Sequence, residues 1–135
     1  MSNKVLQLNK NNSSDLFSGV LSGYREKIEN IDASNGLSIL NLNSANVFRI
    51  TLRQPVTNIT FDNLPDSDKS YSCTLIFLQD NNGNRKVIFP ENVFWSFNET
   101  AVLSKKPGYA DVITLMTFDG GESFYAAHAL ANLGK

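Results

Sequence analysis

One cysteine, one histidine and one tryptophan in 135 residues leave this chain few of the side chains that carry chemistry. Cys73 alone can form neither an intramolecular disulfide nor a cysteine-based zinc site. In Tyr71-Ser72-Cys73-Thr74-Leu75-Ile76-Phe77-Leu78 it alternates with Leu75 and Phe77, the place of a small buried hydrophobe. His128 stands near the carboxy end, and a triad needs a nucleophile, a base and an orienting group that converge. Charge is also scarce: 19% of residues are charged and the net charge is −1. No basic field exists to neutralise phosphates, so nucleic acid is not an expected partner. Apolar runs stop after a few residues, far short of a membrane span, so no membrane insertion is expected. The first 15 residues lack the apolar stretch of a signal peptide, which predicts synthesis inside the cell without export by the standard route.

The acids are scattered. Asp62, Asp66, Asp68, Asp80, Asp111, Asp119 and Glu122 fall in or beside turns, without the spacing of paired catalytic carboxylates. Asp66-Ser67-Asp68 has alternating acids but not the rest of a calcium loop. Asp119-Gly120-Gly121 precedes a strand pattern rather than a helix, so it is a turn former and not a phosphate cradle. These absences predict no enzyme, no catalytic residue, no metal and no cofactor.

What the chain does have is β pattern. Residues 1–15, rich in Asn, Ser and Lys, read as an N-terminal arm, and residues 16–135 as one domain. Within Leu16–Ile31 two readings stand. Leu16, Val20, Tyr24, Ile28 and Ile31 keep helical spacing behind an Asp15 cap, although Gly19 and Gly23 would each cost a helix roughly 1 kcal/mol. The alternative is an extended strand over Gly23–Ile31 with Tyr24, Glu26 and Ile28 on one side. Beyond Asp32 the period is two. Asn35-Gly36 is a turn dipeptide, and Leu37–Leu42 alternates. Phe48, Ile50 and Leu52 share a face, as do Ile59 and Phe61. Tyr71–Gln79 is followed by the turn Asn81–Asn84 and a partner strand at Arg85–Phe89. Tyr109–Phe118, an Asp-Gly-Gly hairpin and Glu122–Ala129 complete the series. Strands at this spacing, joined by turn residues, predict an all-β fold, a β-sandwich or jelly roll.

Two features point outward. Tyr71–Gln79 and Tyr109–Phe118 are apolar on both faces, so one face of each needs a cover. We assign that face to Ile76, Leu78, Ile113 and Leu115 and expect self-assembly, as a homotrimer or higher multimer. Trp95, with Phe94 and Phe97 beside it, is a core plug or a sugar-stacking platform. Tyr109 and Tyr125 are its candidate companions in binding glycan.

The order of motifs resembles the small β-rich tail-fibre, appendage or decoration modules of tailed bacteriophages of marine and cyanobacterial type. The residues that carry it run from Gly23-Tyr24-Arg25-Glu26 through Asn46–Leu52 and Ile59-Thr60-Phe61-Asp62-Asn63-Leu64-Pro65. They continue with Val87-Ile88-Phe89-Pro90, Val93-Phe94-Trp95, Gly108–Val112, Phe118-Asp119-Gly120-Gly121 and Ser123-Phe124-Tyr125. Such modules often carry glycines after the tryptophan, where this chain has Ser96-Phe97-Asn98-Glu99. The resemblance implies a virion protein that sits on head or tail. Its arm would hold other capsid or tail proteins, and it could contact host surface polysaccharide. It also implies that Tyr24–Ile31 is extended.

Overall fold

The computed structural model describes residues 19–134. The expected arm at residues 1–15 and the start of the Leu16–Ile31 segment lie outside the described residues. Residues 19–27 form no regular element, and Gly23 takes a φ of 65°. Regular structure begins with β1 (Ile28–Ala33), followed by β2 (Leu37–Asn41), β3 (Val47–Leu52), β4 (Val56–Asp62) and β5 (Tyr71–Gln79). Next come β6 (Lys86–Ile88), β7 (Val93–Trp95), a 3₁₀ turn (Ser96–Asn98), β8 (Ala110–Thr117) and β9 (Phe124–Leu133).

The fold is all-β, in two sheets. The large sheet has the order β1-β3-β5-β8-β9-β7 and the small sheet β2-β4-β6. Through its first six strands the chain alternates between them, and β1, β3 and β5 pair in parallel, as do β2, β4 and β6. Parallel neighbours require a crossover, and here each crossover is a strand of the opposite sheet. The corners are short: Ser34-Asn35-Gly36 joins β1 to β2, and Arg53-Gln54-Pro55 joins β3 to β4. Gly36 sits at φ 74° with Val56 O only 3.1 Å from where a Cβ would stand, so this corner requires glycine. Only β8 adds to β5 and β9 to β8 in antiparallel fashion, while β7 runs parallel to β9.

Two sequence expectations are corrected here. The first is the connectivity: five of the seven pairings are parallel, unlike the hairpin-joined strands of a jelly roll. The Arg85–Phe89 segment does not return along β5. It supplies β6, which joins β4 in the small sheet. The cause is local, because Asp80 Oδ1 accepts the amides of Asn82 and Gly83, and Arg85 Nη2 pairs with Asp80 Oδ2 at 2.8 Å. Gln79 accepts the Arg85 amide and donates to its carbonyl, so the chain is held away from β5.

The second correction concerns β8. Antiparallel register sets Leu75 opposite Ile113 and Cys73 opposite Leu115, and directly opposed residues share a face. Ile113 and Leu115 are therefore in the core with Phe48, Ile50, Leu52 and Phe77, and cannot form an assembly face. Leu40 and Ile59 reach the same core from the small sheet. Phe61 of β4 stacks on Phe124 of β9 with centroids 4.3 Å apart, tying the two sheets together. Burying these aromatic and branched side chains contributes about 1.5–3 kcal/mol each before chain entropy is counted.

Candidate functional site

The outer face of the large sheet divides into two zones along its strands. At one end Ile76 is paired with Val112, which is paired with Leu130; beside this row Leu78, Ala110 and Leu133 form a second. These side chains make an apolar strip, and Leu130 is 52% exposed. Ile76 and Leu78, expected on the assembly face, do lie on this outward side and are half-buried. The strip gains Val112, Leu130 and Leu133 in place of Ile113 and Leu115.

At the other end the same strands change character. Ser72 and Thr74 of β5 lie opposite Met116 and Thr114 of β8, and those in turn face Tyr125 and Ala127 of β9. Together with Glu26, Asn46 and Ser96 they line a cleft of about 370 Å³. Asn46 Nδ2 donates to Ser72 O at 2.8 Å, which fixes one wall. Tyr125 stacks on Phe118 at 4.9 Å with the rings within 9° of parallel, and its ring is tilted by 31° to that of Phe94, 6.1 Å away. Phe118 is 56% and Phe94 51% exposed, so the three rings form an open ladder.

The 3₁₀ turn carries a separate exposed ring. Phe97 and Asn98 take φ values of 58° and 57°, in the left-handed region, and Phe97 is 94% exposed. Left-handed backbone is uncommon for a bulky residue.

Of the glycan residues expected from sequence, Tyr125 alone stands at this cleft. Trp95 alternates inward from Phe94 along β7 and packs edge-on against Phe89 at 4.9 Å, which itself meets Phe77 at 5.8 Å. It is a core plug. Tyr109 precedes β8, roughly 24 Å from Met116 at the strand rise of about 3.4 Å per residue. Its ring carries Lys106 Nζ at 5.3 Å. Sequence reasoning missed Phe118, Thr74 and Thr114 as site residues, because nothing in period-two alternation distinguishes a covered outer face from an open one.

The single histidine does enter a polar cluster. His128 Nε2 and Ser104 Oγ each lie 3.0 Å from Asp111 Oδ1, and the Ser104 amide donates to Asp111 Oδ2 at 2.8 Å. Asn132 N donates to Ser104 Oγ, and Gln79 Nε2 donates to Ser104 O. The carboxylate, not the imidazole, is central: Asp111 meets both the His128 ring and the Ser104 hydroxyl, and Ser104 is buried. This cluster clamps the long connection before β8 to the end of β9.

Three shifted groups have plain physical causes. Burial pushes the Cys73 thiol up to about 12. The Arg85 hydrogen bond holds Asp80 below the ordinary carboxylate value. The Ser123 amide does the same for Asp119, whose side chain organises the β8–β9 turn as its sequence position implied.

No family model, no curated protein and no solved structure matches this chain.

Proposed function

We propose that the protein is a non-enzymatic structural component of a tailed-phage virion: a tail fibre, head fibre or capsid decoration that works as an oligomer, with a homotrimer as the assembly. The observation that carries the assembly is the apolar strip of Ile76, Val112, Leu130, Leu78 and Leu133 on the outer face of the large sheet. A lone chain would leave that strip in water, and contiguous exposed apolar surface marks an interaction face. Support for the virion setting comes from the ordered motifs between residues 20 and 127. In this reading the two sheets form a β-sandwich scaffold whose crossing strands keep it short and stiff. The Asn- and Ser-rich residues 1–15 attach it to capsid or tail.

A second reading, recognition of host surface polysaccharide, is favoured by the ladder of Phe94, Tyr125 and Phe118 beside the cleft. The two readings are compatible, since a fibre uses separate zones to assemble and to bind. Mass spectrometry of purified particles, followed by cryo-electron microscopy, tests the virion setting. Density for the fold on head or tail is the expected result. Intact particles that contain none of this protein would overturn it.

A further inference from the structure

The cleft beside Tyr125 is lined unlike the strip a few residues away on the same strands. Where Ile76 and Val112 present hydrocarbon, Ser72, Thr74 and Thr114 present hydroxyls next to the Tyr125 ring. A second copy of this chain would be matched by more hydrocarbon. A sugar is matched by what is there. One face of a pyranose is C–H and packs on an aromatic ring, while its hydroxyls both donate and accept. Ser and Thr hydroxyls also do both, so each can pair without leaving a group unsatisfied. The cleft's 370 Å³ lies in the range of small-ligand pockets.

Charge narrows the class. Among the described residues that line the cleft, Glu26 is the one that carries charge. Its carboxylate disfavours a uronate or sulfated sugar and tolerates a neutral one. A separate observation points to the same place. Ser96, on the cleft wall, leads into Phe97, an exposed ring on left-handed backbone. Strain at a bulky residue persists where function uses it, and Phe97 has no packing of its own that would offset it.

The geometry points to a binding site for a neutral oligosaccharide, with one ring stacked on Tyr125 and its hydroxyls held by Thr74 and Thr114. This deepens the recognition reading above and rests on it.

The test is amide chemical-shift mapping of the full chain with chitotriose, cellotriose, maltotriose and trigalacturonate, each at millimolar concentration. At least one neutral trimer should shift Thr74, Thr114 and Tyr125 saturably, and trigalacturonate should not. Tyr125→Thr keeps a strand-forming residue and removes the ring, and should weaken binding by up to roughly tenfold. Thr114→Val should weaken it severalfold with the fold retained. Silence from all neutral trimers, shifts unaffected by both variants, or equal binding of trigalacturonate would overturn the site. Sugar binding by a protein absent from particles would sink the virion reading and keep this one. A particle-bound protein blind to every neutral trimer would do the reverse.

Discussion

Trp95 and Phe94 are neighbours with opposite surroundings, because successive side chains of β7 point to opposite faces of the sheet. Trp95→Ala removes a ring packed on Phe89 and should cost about 3 kcal/mol in urea unfolding. Phe94→Ala should cost less than about 1 kcal/mol, because it empties only surface. Thr57 makes a different case. Its Oγ1 is buried with no hydrogen-bond partner among the described residues. Thr57→Val replaces an unsatisfied hydroxyl with a methyl and should raise stability by about 1 kcal/mol in the same assay. Cys73 carries a pH prediction. Its folded thiol holds its proton up to about 12, against roughly 8.5 in an unfolded chain. The contribution is therefore complete below about 8.5 and declines as pH rises toward 12. Wild type should lose more stability than Cys73→Ala between neutral pH and pH 10. The native thiol should also react with a disulfide reagent only after denaturant is added.

At the level of elements, the alternating patterns at Val47–Leu52, Val56–Asp62 and Ala110–Thr117 were legible, since each shows period two with branched or aromatic side chains on its inner face. What could not be read was which strand each one meets. Asn81–Asn84 has the composition of a hairpin loop, yet Asp80 binds its backbone and Gln79 that of Arg85, making a corner that delivers β6 to the other sheet. Side-chain-to-backbone bonds of this kind leave no periodic trace. The corner gives its own prediction. Gly83 has φ 68°, and an added Cβ would lie 2.5 Å from Lys105 O and 2.9 Å from Pro107. Gly83→Ala should therefore lower stability by about 2 kcal/mol or more, measured by thermal or urea unfolding. The part of Leu16–Ile31 within the described residues does not follow its helical spacing. Among those residues regular structure begins at Ile28, and at Gly23 the chain takes a left-handed turn no helix contains.

For the whole molecule, alternation in the two-faced strands could not say which face the core already covers. Core and surface exchange if β8 is read one residue out of step, which is how Ile113 and Leu115 came to be expected outside. Tertiary register settled it by placing them against Leu75 and Cys73. The remaining outer face then separates into an apolar strip, proposed to meet another copy of the chain, and a hydroxyl-lined cleft, proposed to take a sugar. Of the candidate site, Tyr125 was legible from sequence. Its partners Phe118, Thr74 and Thr114 were not, since they meet only across three strands. Multi-angle light scattering on the purified protein tests the assembly most directly. The account predicts a mass three times the 15.0 kDa chain at micromolar concentration, shifted to that of the single chain by Leu130→Lys in the strip. A wild-type protein that scatters as one chain would contradict it.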